Sequence, residues 1–357
     1  MKTLDKSKIV LVHYSSSPGG IEVTLSWMIE RLPQYSFSAF IIRPYLSGKP
    51  DVYSGKPVMK TFGSFNNISA AVKLFAYALR NRRSVFHVFN IGPVFLLILR
   101  LAGIKSLIYS IHGTQYWRNG IQRVILRSLW RLSLSGKYII TANSEFSKKV
   151  FLGEVFPGHA IEVLYNPIDF SRFKLPDGRM RSPYPHRIIY CGRLDKEKNL
   201  DEWIRMAISI QKQLPDIVFE IYGDGSERTH LENLIVNSGT DNQIILKGHT
   251  PEPERVMQEA DLMIFLSRNE SFGNVVVESI LCGTPVIAYD IPAMREIFRD
   301  FPIFLINQDA NFSEAILHKI KDFDQLNRSA FLARESFMAR FSPHAHLETL
   351  TELYNSL

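Results

Sequence analysis

Two cysteines in 357 residues are too few for a disulfide framework. Cys191 and Cys282 each sit inside an apolar run beside a glycine, so buried free thiols and a reducing compartment are expected. Long hydrophobic runs are also missing. No window approaches the ~18 apolar residues of a membrane span, and the longest candidate, Val94–Ile104, is broken by Arg100. The opening MKTLDKSKIVLVHYSSS holds too short an apolar run for a signal peptide. A cytoplasmic globular protein is therefore expected. Acidic residues are scarce in one half only. Residues 1–165 hold 21 Lys/Arg against 7 Asp/Glu, whereas residues 166–357 hold 21 against 28. A basic half joined to an acidic half implies that the first meets something anionic, either a membrane surface or an acidic ligand. No acidic cluster stands in a credible place for a metal. Asp322-Phe323-Asp324 falls in a late, polar helical stretch and reads as solvated.

What is present is an alternation of strand, loop and helix. The length argues for two domains. In the first half, Lys8–Tyr14 reads as a buried strand. It feeds Ser15-Ser16-Ser17-Pro18-Gly19-Gly20 and a helix from Ile21 to about Leu32. A glycine pair at a helix start lets a phosphate approach the backbone, although such pairs more often make only a tight turn. Ser38–Arg43, Val85–Phe89, Ser106–Ile111, Tyr138–Thr141 and Ile161–Leu164 read as further strands, with helices between them. That pattern implies a parallel sheet covered on both faces. Ser106–Ile111 ends at His112-Gly113, where α/β folds bind ligands, though a single histidine is usually structural. The run WRNGIQRVILRSLWRLSL interleaves Arg118, Arg123, Arg127 and Arg131 with apolar residues. It suits an anionic bilayer surface, and equally an ordinary helix with a solvated basic face.

Phe173–His186, with three prolines and a glycine, reads as a linker. A second α/β series comes next. Arg187–Cys191 runs into Gly192-Arg193-Leu194-Asp195-Lys196-Glu197-Lys198-Asn199, a strand-to-helix loop whose Arg193 and Lys198 suit a diphosphate. Ile217–Tyr222 ends at Gly223-Asp224-Gly225, and Gln243–Lys247 ends at Gly248-His249. The most informative stretch is Asp261–Ala288, which reads strand, loop, helix, glycine stop, strand. Its loop carries Glu270, Ser271, Phe272 and Gly273. Asn274, Val275 and Glu278 open the helix, whose N-terminus suits phosphate while the carboxylates suit hydroxyls.

These motifs, in this order, resemble the retaining glycosyltransferases of family 4. The resemblance is carried by Gly19-Gly20, His112-Gly113, Asn166-x-x-Asp169, Gly192-Arg193-x5-Lys198-Asn199, Gly223-x-Gly225, Gly248, and Glu270-Ser271-Phe272-Gly273 through Glu278. It implies the GT-B architecture: two facing Rossmann-like domains, residues 1–168 on the acceptor side and 169–341 on the nucleotide-sugar side. A C-terminal helix over 342–357 would cross back to the first. Arg193 and Lys198 would bind the donor diphosphate, Glu270 would orient the sugar, Glu278 would hold the ribose, and His112 would support the reacting centre. Gly192, Gly223, Gly225, Gly248 and His249 would complete the donor pocket. The partners implied are a nucleotide-diphosphate sugar and a saccharide or lipid-linked acceptor, in cell-surface polysaccharide or glycolipid synthesis such as lipopolysaccharide or capsule. From the residues themselves, Arg193, Lys198 and the helix N-terminus could replace a divalent metal, so metal-independent transfer is expected, with no cofactor and no nucleic acid. The basic half with its Arg118–Arg131 helix suits a peripheral place on the inner face of the cytoplasmic membrane. Ser271 and Pro292-Ala293 depart from glycines common in the family, and Asn166 is followed by Pro167 instead of the usual glycine. Two alternatives stand beside this reading. One is a catalytically silent scaffold of the same fold. The other is a nucleic-acid binder, which has charge in its favour but no motif.

Overall fold

The computed structural model describes residues 5–15, 19–43, 51–116, 120–136, 138–176, 182–240, 242–309 and 311–357. The chain forms two compact units, Met1–Pro167 with Pro343–Leu357, and Ile168–Ser342.

Unit 1 alternates β1 (Asp5–His13), α1 (Gly20–Arg31), β2 (Ser36–Ile41), β3 (Met59–Phe62), α2 (Asn67–Arg80), β4 (Ser84–Phe89), α3 (Pro93–Leu101), β5 (Leu107–Ile111), α4 (Gly120–Leu134), β6 (Ile139–Ala142), α5 (Glu145–Glu154) and β7 (Glu162–Val163). The sheet order is β3-β2-β1-β4-β5-β6-β7, all parallel. β4 and β5 are buried along their whole length because both sheet faces are covered. One face carries Leu74 and Ala78 of α2, Leu96 and Leu99 of α3, Trp130 and Leu134 of α4 and Phe151 of α5. The other carries Leu25 and Met28 of α1, together with Leu350 and Tyr354 from the last helix of the chain.

Unit 2 runs β8 (Arg187–Cys191), α6 (Leu200–Gln211), β9 (Val218–Tyr222), α7 (Arg228–Ser238), β10 (Ile244–Gly248), α8 (Pro253–Glu259), β11 (Leu262–Phe265), α9 (Asn274–Leu281), β12 (Val286–Tyr289), α10 (Pro292–Ile297), β13 (Leu305–Ile306), α11 (Phe312–Lys321) and α12 (Phe323–Arg340). α13 (Pro343–Ser356) then rejoins unit 1. The second sheet, ordered β10-β9-β8-β11-β12-β13, is again parallel. In each sheet the strand order reverses once, between β1 and β4 and between β8 and β11. That switch point is where open α/β sheets hold ligands.

Three expectations change. The stretch read as a linker is packed on unit 2, since Phe173 is buried and the Lys174 carbonyl accepts from Gln258 at 2.9 Å; its residues 177–181 lie outside the described ones. β3 was not expected, because as an edge strand it buries little and shows no apolar run. α4 is turned otherwise than its composition suggests. Its core face is Trp130, Ser133 and Leu134, while Ile121, Val124, Ile125 and Leu132 face solvent. Each such side chain forgoes about 1.5–3 kcal/mol of burial. Arg118 lies outside the described residues, Arg123 pairs with Glu154 at 3.5 Å, Arg127 is partly buried, and Arg131 is exposed. Both cysteines are buried and outside any disulfide, and burial pushes the Cys191 thiol up to about 12. Among the described residues no helix is long and apolar enough to cross a membrane.

Candidate active site

The loops after β8 and β11 flank the switch point of unit 2, and these are the loops that carry Lys198 and Glu270. Asn199, left-handed at φ 58°, turns the chain from a short 3-10 segment over Lys196–Lys198 into α6. Lys198 Nζ donates to Glu270 Oε1 at 2.6 Å across 72 positions of sequence, and each side chain is 12% exposed. The Lys198 ammonium also lies 6.0 Å from the ring centroid of Phe265. Neighbouring backbone fixes this geometry: Arg268 N–H and Ser267 Oγ–H both donate to the Glu197 carbonyl, at 3.4 and 3.3 Å.

Arg193 does not join that pair. Its guanidinium is held by Asp195 and, at 3.1 Å, by Glu197, both on its own loop, and it stays 58% exposed. The expected twin grip on a diphosphate is thus one recessed lysine beside a carboxylate, with an exposed arginine neutralised nearby.

Gly273 caps α9 with φ 102°, and a Cβ there would lie 2.7 Å from Met294 Cε, so only glycine suits the turn. Phe272 is buried edge-on against Phe341 at 5.3 Å. Ser271, Asn274 and Val275 are partly buried at the start of the helix. Glu278, one turn further along, is recessed, and burial pushes its carboxyl up to about 7; Arg172 opposes that shift and Glu254 adds to it.

The glycines expected around the donor have a packing role of their own. A Cβ on Gly223 would sit 1.7 Å from the Gly192 carbonyl oxygen, and one on Gly225 would sit 2.4 Å from that of Leu194. The loops after β8, β9 and β10 are joined by Gly192 N–H to Tyr222 O, Leu194 N–H to Asp224 O and Gly223 N–H to Gly248 O, at 2.8–3.0 Å. His249 comes directly after this junction and is exposed. Sequence reasoning missed the carboxylate of Glu202, which accepts from Asn199, Arg268 and, at 2.8 Å, the Tyr289 hydroxyl. Burial would raise it, but these donors outweigh burial and hold it below the usual carboxylate range. Among the described residues one trio could offer metal ligands, Asp201, Glu227 and His230. It is built on a His230–Asp201 pair at 3.0 Å, with His230 exposed.

Unit 1 has a different kind of site. His112, just past β5, lines a pocket with Thr24, His87, Thr141, Asn166 and His346 among others. His87 Nδ1 lies 2.7 Å from the Tyr354 hydroxyl and Nε2 lies 2.8 Å from Ser110 Oγ, which is 2.7 Å from Thr141 Oγ1. His346 Nδ1–H donates to the Tyr165 carbonyl at 2.8 Å. Burial pushes His112 down to about 3 and His346 to about 4, so both rings are neutral at ordinary pH. Gly19 caps α1 and exposed Gly20 begins it. Residues 16–18 of that loop lie outside the described ones. His87, His346 and Tyr354 were not singled out in the sequence, since His87 on β4 and the two residues of α13 come together only in the fold.

Two family models cover the chain in tandem: Glycosyltransferase Family 4 matches residues 18–172 and Glycosyl transferases group 1 matches residues 181–330. The chain belongs to the family 4 glycosyltransferases. It is similar to the GtfA subunit of a UDP-N-acetylglucosamine–peptide N-acetylglucosaminyltransferase from Streptococcus pneumoniae, 34% identical over 114 residues. That match takes in 32% of this chain and only 22% of the relative. N-acetyl-alpha-D-glucosaminyl L-malate synthase from Bacillus anthracis is 22% identical over 309 residues, covering 82% of this chain and 81% of that one. Among solved structures, Anabaena HepE in complex with UDP and glucose superposes with a TM-score of 0.78 at 18% identity, covering 98% of this chain and 99% of that one. The last likeness concerns the fold, which is GT-B.

Proposed function

We propose that the protein transfers a sugar from a nucleoside-diphosphate donor to a saccharide acceptor, with retention of anomeric configuration and without a metal. The observation that carries this reading is the Lys198–Glu270 pair, set at the switch point of unit 2 beside the N-terminus of α9. Breaking the sugar–diphosphate bond places negative charge on the leaving oxygen and positive charge on the anomeric carbon. Lys198 and the helix N-terminus face the first of these. Each charge-assisted hydrogen bond contributes roughly 1.5–3 kcal/mol, and the helix end adds about half a positive charge. Glu270, held by Lys198, then serves the sugar hydroxyls and Glu278 the ribose. Arg193 reaches the diphosphate by exchanging a carboxylate of its own loop for a phosphate oxygen.

No side chain is cast as a nucleophile. The acceptor hydroxyl attacks the anomeric carbon on the face the diphosphate leaves, and its proton passes to the departing phosphate oxygen. His112, kept neutral, supports the reacting centre as a hydrogen-bonding group and not as a cation. The GtfA relative is named for a UDP-sugar and the HepE structure holds UDP, so a UDP-sugar is the first donor to try. The acceptor is proposed to be lipid-linked, in cell-surface polysaccharide or glycolipid synthesis on the inner face of the cytoplasmic membrane. The test is a thermal-shift and hydrolysis screen over UDP-, GDP- and ADP-sugars, with and without EDTA. Donor-dependent stabilisation and EDTA-insensitive release of nucleotide are expected. Binding to no donor would return the protein to the silent-scaffold reading, and loss of activity in EDTA would remove the metal-independent mechanism.

A further inference from the structure

Between Asp51 and Glu145 the chain runs 93 residues without an aspartate or glutamate and carries 13 lysines and arginines. This stretch contains α2, α3 and α4, which pack side by side on one face of the unit 1 sheet. Their outward surfaces are not the polar ones expected of helices facing water. On α2, Ile68, Val72, Phe75 and Leu79 recur at i, i+4, i+7 and i+11, a single stripe between 37% and 77% exposed. On α4, Ile121, Val124, Ile125 and Leu132 form a second stripe at helical spacing, each more than half exposed. Lys73 and Arg80 lie exposed beside the first stripe, and Arg131 beside the second.

We propose that this face docks on an anionic lipid bilayer, with the two apolar stripes entering the headgroup region and the basic side chains meeting lipid phosphates. The combination of apolar residues with charge of one sign is what an interfacial helix needs, because burial and attraction act together. The two stripes are separated by α3, whose own Val94 and Leu101 are exposed, so the apolar surface spans three helices, which suits a deformable sheet of lipid. A second copy of the same face would bring Lys73, Arg80 and Arg131 against like charges, since Glu154, the acid beside α4, is already paired with Arg123 at 3.5 Å. The inference shares the lipid-linked acceptor with the proposed function but none of its transfer chemistry, so the two can fail separately.

The test is co-sedimentation of the full chain with vesicles of phosphatidylcholine alone and of phosphatidylcholine mixed with phosphatidylglycerol, at low and high salt and without donor. Binding to the mixed vesicles only, weakened by salt, is expected. The double variant Val72→Glu/Phe75→Glu and the single variant Ile121→Glu should each bind on the order of tenfold less well. Ile121→Glu should keep the wild-type thermal midpoint, because Ile121 is 76% exposed, whereas the double variant gives up some packing at Phe75, which is 37% exposed. Both should stay folded and keep transfer to a soluble acceptor. Equal binding to neutral vesicles, no binding, or unchanged binding by both correctly folded variants would overturn the proposal. So would a concentration-dependent dimer, seen by sedimentation velocity and lost in Val72→Glu/Phe75→Glu, which would assign the face to a second copy.

Discussion

The two units are built on one doubly wound plan and place charge in opposite ways. In unit 2 the loops at the switch point are crowded with ionised groups, each answered by a neighbour: Lys198 by Glu270, Arg193 by Asp195 and Glu197, Arg268 by Glu202. In unit 1 the pocket around His112 is polar but uncharged, because burial keeps His112 and His346 neutral. Exposed basic residues of that unit lie on helices instead, among them Lys73 and Arg80 of α2 and Arg123 and Arg131 of α4. The same fold thus supplies an electrostatic site in one half and a hydrogen-bonding site in the other. The loops at the strand ends make the difference, and the strands themselves do not.

On that contrast, removing charge should matter most in unit 2. Lys198→Ala and Glu270→Ala are each expected to lower turnover by about 10²–10³-fold, the scale of losing a preorganised group beside developing charge. A turnover assay with saturating donor measures this, and wild-type turnover in Glu270→Ala would sink the assignment. His112→Ala should lose less, roughly 10–10²-fold. Because His112 titrates near 3, the wild-type kcat/KM profile should show no acid limb from this residue above about pH 5. A limb near the ordinary histidine value that disappears in His112→Gln would mean the ring works as a cation.

Glu278 sharpens the comparison from within unit 2. Its folded carboxyl titrates at about 7 against an ordinary 4.5, so the folded state holds the proton through that window. The associated stability is fully present below about pH 4.5 and is lost as pH rises through 7, an effect of about 1–3 kcal/mol. The wild-type thermal midpoint should therefore fall from acid to neutral pH relative to Glu278→Gln. Donor affinity, by calorimetry, should move the other way and rise as Glu278 ionises. An identical pH dependence in both proteins would leave Glu278 outside the titration. The smallest effect is expected from Tyr354→Phe, which removes the hydroxyl on buried His87. About 1–2 kcal/mol of stability should be lost, read by denaturant unfolding with little change in turnover.

The strands were legible because both sheets are parallel and covered, so their strands are short apolar runs ended by glycine or charge. β8 matches its expected span residue for residue. β3 was not legible, since an edge strand with three partly buried residues leaves no such run. The positions of Lys198 and Glu270 could be read from their loops, but their contact could not, because it depends on β8 and β11 being neighbours in a sheet. The outward turn of Ile121, Val124 and Ile125 was hidden for a related reason. Interleaved arginines and apolar residues on one helix define two faces without saying which one the sheet takes. His87 and Tyr354 meet across 267 positions, where no local pattern reaches.

That last contact has a consequence for how the molecule is made. Unit 1 owes Leu350, Tyr354 and the His346 wall of its pocket to a helix that comes after all of unit 2 in the chain. During synthesis from the N-terminus, unit 2 can close as soon as its own residues emerge, while the first-made sheet waits with one face partly bare. The order of completion is then the reverse of the order of synthesis. The unit whose helices carry exposed apolar stripes is also the one that stays incomplete longest.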